Sequence, residues 1–325
     1  MHHQQHAMAM RSIQFKRIVM NNSGIFARLM NTAFKGHMAL LGAQIIYALN
    51  YSIAKGLMPT FIDPMALVFF RITGATILFW LLSAFTGLQP IDKKDRVKLL
   101  LLPLFGVVVN QIFFIYGLSQ TTPINSAIIM ISNPVMVFLF MLFITRERIG
   151  GIQVSGLLLA ITGAVLLLRY RGNFELGSET VTGDIMTLIN STSWAIFIVM
   201  AKPILVRYNT ITAMSWMFLV GSIIMLPIGL PSALATNFSA FTPHAWFALG
   251  FVVIATTFFA YLLNLYGLQM LSPGTVSAYI YLQPLLASLF AVIMGEDLLT
   301  PTKLFSGILI IAGLFLVNSK IFKKE

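Results

Sequence analysis

Two short constellations carry most of the chemistry this sequence offers. Asn133-Pro134 and Gln283-Pro284 each put an amide directly before a proline inside a long apolar run. An interior proline removes one rung of the helical ladder and frees a carbonyl, which then needs a neighbour, a water or a ligand. An amide costs free energy in hydrocarbon unless it is paired. Together they suit reversible binding of a small hydrogen-bonding molecule, and equally a kink that serves packing alone. Covalent chemistry has no such footing. The chain has no cysteine, and His2, His3, His6, His37 and His244 lie in the N-terminal segment or at the starts of apolar runs without a carboxylate at usable spacing. A nucleophile with its base or a metal cluster needs more than that, so no enzyme, metal or cofactor is expected.

Further polar side chains lie in the interior of other apolar runs. They are Gln44 and Asn50, Asn110 and Gln111, Asn190 to Ser193, and Thr256, Thr257 and Asn264. Tyr47, Tyr116, Trp194, Tyr261, Tyr279 and Tyr281 add aromatic surface at similar depths. A neutral, amphipathic cavity follows if these face one another. The substrate cavity is accordingly expected from Gln44, Tyr47, Asn50, Asn110, Gln111, Asn133, Trp194, Thr257, Tyr261, Asn264, Tyr279 and Gln283. Hydrogen bonds between helices are the plainer use of any one of them.

Pro134 and Pro284 are expected as hinges, with Arg71, Lys55 and Lys202 as gating candidates. Arg71 sits seven residues into its run from Pro64, about 10 Å at the helical rise. It can snorkel to the interface or meet an anionic substrate. Lys55 and Lys202 lie at helix ends, where compensating the helix terminus and meeting lipid headgroups is the alternative to gating. No run has an aspartate or glutamate near its middle, so proton coupling through a core carboxylate is not expected.

The elements that would hold these residues are membrane spans. Apolar residues make up 58% of the 325 positions and charged ones 10%, far from the roughly 25% charged residues of soluble domains. Ten apolar stretches reach a crossing length, at 37–57, 64–86, 98–118, 123–144, 150–168, 183–205, 210–230, 244–266, 273–294 and 302–319. Hydrocarbon offers the backbone no partner, so such stretches must be helices. With the N-terminus inside, fifteen Lys and Arg residues fall on the cytoplasmic side and only Arg169, Arg171 and Lys303 outside. This bias predicts both termini in the cytoplasm. The charge of +11 is spread over tails and short loops, which points to lipid headgroups and away from nucleic acid. Residues 13–30 can form a short amphipathic helix on the bilayer surface or remain a basic tail.

The chain also repeats itself. Tyr116-Gly117-Leu118, Pro123, Ser126-Ala127, Pro134 and Glu147 recur as Tyr266-Gly267-Leu268, Pro273, Ser277-Ala278, Pro284 and Glu296. Gly36, Ala54-Lys55 and Gly74 recur at a constant offset of 147 as Gly183, Ala201-Lys202 and Gly221. Five spans per copy is an odd number, so the second copy must enter the membrane from the other side. The expected fold is therefore an all-α integral membrane protein of ten transmembrane helices in two inverted five-helix repeats. Its parts are a basic cytoplasmic segment at 1–35, repeats at 36–169 and 183–319, an external linker at 170–182 and a cytoplasmic tail at 320–325. Small residues in the fifth span (Ser155, Gly156, Ala160, Gly163, Ala164) and the tenth (Ser306, Gly307, Ala312, Gly313) suit close helix packing, and a homodimer contact is open.

This order of motifs resembles the drug/metabolite transporter superfamily, in particular its ten-helix EamA-type branch. The resemblance rests on the two repeats, Arg71, Pro123…Pro134…Glu147, Asp184 near Trp194-Ala195, Lys202, and Tyr266-Gly267-Leu268…Pro273…Pro284…Glu296. It implies a bacterial inner-membrane carrier with its cavity among helices one, three, four, six, eight and nine, and peripheral fifth and tenth helices. It also implies amino-acid export as the leading activity. A channel-like facilitator, a drug exporter and, less favoured, a membrane scaffold or regulatory protein are the alternatives.

Overall fold

The computed structural model describes residues 31–147, 149–169, 180–293, 298 and 300–318, and the regular elements among them are all helical. In chain order they are α1 (31–57), α2 (Pro64–Thr86), α3 (Lys93–Gln120), α4 (Pro123–Met130, resumed as Ser132–Phe140) and α5 (Gly151–Arg169). The second half holds α6 (Val181–Arg207), α7 (Thr210–Leu234), α8 (Pro243–Met270), α9 (Pro273–Ala278, resumed as Leu282–Ile293) and α10 (Pro301–Asn318). Seven of the described helices, α2, α3, α4, α6, α7, α8 and α10, are long and apolar enough to cross a membrane. The chain is thus an all-α, multi-pass membrane protein. Length and composition alone give seven crossings where the sequence predicts ten. The difference lies in α1, studded with Lys35, Gln44, Asn50 and Lys55, in α5, whose apolar stretch covers only Gly151–Leu167, and in the interrupted α9.

Residues 31–35, expected in the basic tail, already belong to α1, and Val181 and Thr182, expected in the linker, open α6. The helix expected at 13–30, most of the linker and the C-terminal tail lie outside the described residues.

Four helix starts share one construction, a capping oxygen followed by proline: Asp63-Pro64, Thr122-Pro123, Thr242-Pro243 and Ser272-Pro273. The side-chain oxygen takes an orphan N–H of the first turn, and proline occupies a position whose donor is not needed. Thr122 Oγ1 accepts from Asn125 N at 3.0 Å and Ser272 Oγ from Thr275 N at 3.1 Å, at corresponding places in the two halves.

Two lysines fix the directions of the central helices. Near the end of α1, the Lys55 ammonium donates to Leu118 O and Ser119 O at 2.8 Å and to Thr121 O at 3.0 Å, the orphan carbonyls at the end of α3. Near the end of α6, Lys202 donates to Leu268 O at 2.6 Å, Leu271 O at 2.8 Å and Gln269 O at 3.0 Å, at the end of α8. Gly183, opening α6, meets Gly117 near the end of α3, where an added Cβ would lie 2.7 Å from Gly117 O. Gly36, in the first turns of α1, sits against Met270 and Leu271 at the end of α8. One end of the bundle therefore gathers the ends of α1 and α3 with the start of α6. The other gathers the start of α1 with the ends of α6 and α8. Hence α1 runs antiparallel to α6, and α3 to α8.

The same exchange recurs deeper. A Cβ on Gly74 of α2 would lie 2.5 Å from Val253 of α8, and one on Gly221 of α7 would lie 2.7 Å from Val107 of α3. The main core is built from α1, α2, α3, α6, α7 and α8 around Phe79, Phe197 and Phe218. A second cluster joins α5 and α10 to α4 and α9. There α5 and α10 cross backbone to backbone, Gly156 against Gly313 and Gly163 against Ser306, the close approach that small residues permit in lipid.

Two outcomes follow for purified protein melted in detergent. Gly313→Ala puts its methyl 2.6 Å from Gly156 O and should cost about 1–3 kcal/mol, whereas Gly151→Ala, with open space around it, should leave the midpoint within error. Lys55→Met and Lys202→Met should each cost about 1.5–3 kcal/mol by leaving helix-end carbonyls without their charged donor; unchanged midpoints would show the two caps to be idle.

Candidate functional site

At the centre of the main core lies a cavity of about 70 Å³, room for roughly two water molecules at about 30 Å³ each. Eight of the twelve residues expected to line a substrate cavity line it: Gln44, Tyr47, Asn50, Asn110, Trp194, Tyr261, Asn264 and Gln283. Arg71, expected as a gate, lines it as well. The other four stand elsewhere. Asn133 donates Nδ2 to Ser191 O at 2.6 Å and so ties α4 to α6. Thr257 stands behind Arg71, accepting from its Nε at 3.0 Å. Tyr279 meets His37 Nδ1 at 2.8 Å beside the start of α1. Gln111 is buried next to Asn110 without lining the cavity. Neighbours on a helix point about 100° apart, and here Asn110 and Thr256 reach the cavity while Gln111 and Thr257 are buried beside it.

Two of the helices that carry these side chains, α3 and α8, are irregular where they pass the cavity, and in matching ways. In α3 the ladder widens to π geometry over Leu104–Val109, immediately before Asn110. In α8 it does so over Phe251–Phe259, which contains Thr256 and ends just before Tyr261. The displaced carbonyls take side-chain donors: Ser193 Oγ of α6 donates to Phe105 O at 2.7 Å, and Thr257 Oγ1 donates to Val252 O at 2.8 Å. Tyr261 OH has Asn110 Oδ1 at 2.8 Å and Gly106 O at 3.2 Å, and its single proton serves the nearer. Turns of π geometry inside helices concentrate at functional sites.

The two prolines act one turn before themselves. Pro134 is preceded by a break at Ile131, whose N–H turns to Ile128 O at 3.1 Å, and Pro284 by the tight turn Tyr279–Tyr281. Proline cannot donate to the carbonyl four residues back and crowds it. Those residues are Met130 and Ile280, and both line the cavity. Counting back from each proline would have found them in the sequence. Phe114 and Tyr51, which also line it, had no such signal.

A hydrogen-bonded chain crosses the cavity between the two ends of the sequence: Gln283 Nε2 donates to Gln44 Oε1 at 2.7 Å, and Tyr51 OH donates to Gln283 Oε1 at 3.3 Å. On the far side Asn190 Nδ2 donates to Asn110 O at 2.7 Å. Several lining atoms are buried without a partner among the described residues: Gln44 Nε2, Asn50 Oδ1, Asn190 Oδ1, Asn264 Oδ1, Thr256 Oγ1 and Arg71 Nη1. Buried polar atoms are rarely left so, and the six around this cavity are ones that ordered water or a molecule with both donors and acceptors would satisfy. Among the described residues no group of His, Asp and Glu could hold a metal ion. The polar lining consists of amides, hydroxyls and one guanidinium, groups that can bind and release a hydrogen-bonding molecule.

Comparison with known proteins agrees with this geometry. The chain matches the EamA-like transporter family twice, over residues 34–169 and 181–319. It is 28% identical over 290 residues to an uncharacterised transporter of Archaeoglobus fulgidus, covering 88% of this chain and 98% of that one. It is 23% identical to the uncharacterised transporter YyaM of Bacillus subtilis, covering 88% and 94%. A solved crystal structure superposes with a TM-score of 0.68 at 18% identity over 89% of this chain and 97% of that one, a likeness of fold. With both halves matched, the chain belongs to the EamA-like transporter family, and its general activity is secondary transport rather than catalysis.

Proposed function

We propose that this protein is a ten-span carrier of two inverted five-helix repeats that moves a small polar or zwitterionic metabolite, with an amino acid as the leading candidate, by alternating access. In this reading residues 36–169 and 183–319 are the repeats, the substrate sits in the cavity between α1, α3, α6, α8 and α9, and the direction is export. The protein works in a bacterial inner membrane with both termini in the cytoplasm. The observation that carries the proposal is the matched pair of lysine caps, Lys55 on the end of α3 and Lys202 on the end of α8, at opposite ends of the bundle. Related halves that run in opposite directions can exchange conformations, which opens one central site first to one face and then to the other.

The cavity volume fits this cycle. At about 70 Å³ it must widen to admit an amino acid. The breaks before Pro134 and Pro284 are where α4 and α9 can bend without losing further ladder bonds. Asn133, expected as a substrate contact, is in this reading a fastener between α4 and α6. Mutations of cavity contacts should therefore start from Gln44, Gln283 and Tyr261.

Two measurements test the reading. Because the chain has no cysteine, Lys93→Cys and Asn237→Cys can be labelled singly in intact cells with a membrane-impermeant thiol reagent. Asn237→Cys should react from outside and Lys93→Cys only after lysis; labelling of both from one side removes the inversion. In proteoliposomes, uptake of an amino-acid panel should saturate and be stimulated by counterflow, and Gln283→Ala should reduce it at least about tenfold, as expected for loss of a buried contact. Linear, counterflow-insensitive flux would replace the carrier with a channel.

A further inference from the structure

Arg71 is the single charged side chain that lines the cavity among the described residues. It is 3% exposed, and of its guanidinium donors only Nε has a hydrogen-bond partner among them, Thr257 Oγ1 at 3.0 Å. The plane of Phe114 lies beneath it at 5.9 Å from ring centroid to Cζ, and Nη1 is buried with nothing to donate to. The ion pairs among the described residues are Lys94 with Asp92 and Arg207 with Asp95, both remote from the cavity. A guanidinium does not shed its proton at any working pH. A buried charge without a counter-charge is among the most costly arrangements a protein can hold, so its missing partner must arrive from outside.

We propose that the missing partner is the substrate's own carboxylate, and that Arg71 is the residue that restricts this carrier to small amino or hydroxy acids. The inference rests on the carrier reading above and adds the charge of the cargo to it. The rest of the cavity fits the other end of such a molecule. Asn50, Asn190 and Asn264 present amide oxygens with no donor, which suit the N–H or O–H groups on the carbon next to a carboxylate. The rings of Tyr47, Trp194 and Tyr261 line the cavity and offer apolar surface to a short side chain once it widens. A carboxylate accepts a guanidinium fork in plane, and Thr257 and Phe114 hold that fork from behind and below, with Nη1 free to meet it. Thr257 is a positioning residue here, since it touches Arg71 and lines no part of the cavity.

The test uses purified full-length protein and three pairs of probes: L-leucine with L-leucinamide, L-threonine with L-threoninamide, and lactate with lactamide. Each pair differs in the carboxylate alone at the reacting end of the molecule. Binding is read as ligand-induced thermal stabilisation in detergent, and transport as uptake into proteoliposomes. At least one acid should stabilise the native protein with an affinity about 10- to 100-fold above its amide, the value of one charge-assisted hydrogen bond in a buried site. Arg71→Gln should abolish that difference while melting no lower than the native protein without ligand, because it removes an uncompensated charge. Arg71→Lys keeps a point charge and should retain the preference at reduced affinity, which guards against a Gln variant that fails to fold. The proposal is overturned if no acid stabilises the native protein, if acids and amides act alike, or if Arg71→Gln still discriminates. Arg71-dependent binding of an acid without any flux would instead remove the carrier reading and leave the anchor standing. Equal flux of acid and amide would do the reverse.

Discussion

The constraint behind this structure is that a polar group inside hydrocarbon has no water to turn to. Hydroxyls such as Thr73 and Thr162 turn back to a carbonyl of their own helix, and several amides and loosened carbonyls find a partner on another helix or stand at the cavity. Ser193 reaching Phe105 O, Asn133 reaching Ser191 O and Asn190 reaching Asn110 O are all answers to that demand. Each joins α6 to α3 or α4, so the polar bonds also decide which helices are neighbours. Where the helices depart from regular geometry, the side-chain donors are already in position. The irregular stretches of α3 and α8 thus keep their carbonyls satisfied while presenting Asn110 and Tyr261 to the centre.

Much of this was legible in the chain. The spacing of Pro123, Pro134, Pro273 and Pro284 marked the starts and breaks of α4 and α9, and the offset of 147 between Lys55 and Lys202 marked two residues with identical jobs. Polar residues in apolar runs pointed to the bundle interior, where eight of those expected line the cavity and others, such as Asn133, tie helices together. What was not legible is orientation. A helix that is apolar all round carries no stripe to tell the lipid face from the core face, so choosing between Asn110 and Gln111, or Thr256 and Thr257, needs the helical phase. The π turns shift that phase in α3 and α8, and nothing in LFGVVV or FVVIATTFF announces them. Phe114 was invisible for the same reason: one phenylalanine among 27 has no feature that singles it out.

The offset that matches Lys55 with Lys202 also matches Phe61 with Tyr208, and at these corners the two halves use different chemistry. Phe61 joins a cluster of rings, with its centroid 5.9 Å from that of Phe241, which in turn packs on Phe238 and Trp246. Tyr208 instead donates to Asp95 Oδ2 at 2.9 Å, and Arg207 Nη1 donates to the same oxygen at 2.6 Å. Asp95 is buried while the Arg207 side chain is 36% exposed, so this corner holds an ion pair open to water on one side, which salt screens in part. The opposite corner stores apolar contact, which is lost gradually as rings separate.

On the inverted arrangement proposed above, these corners sit on opposite faces of the membrane, and a conformational exchange must loosen one while tightening the other. Two identical latches would make the two access states equal in free energy by symmetry. An ion-pair latch opposite an aromatic one breaks that equality, because the first depends on ionic strength and water entry and the second on apolar area. On that proposal, duplication would supply the exchange and divergence at positions such as 61 and 208 its bias. The same comparison separates the repeated lysine caps, which hold the ends of α3 and α8, from Arg71, whose counterpart at the same offset is Phe218 in the main core. Only one half carries the charge, so the cargo meets a site that is asymmetric even though the scaffold around it is paired.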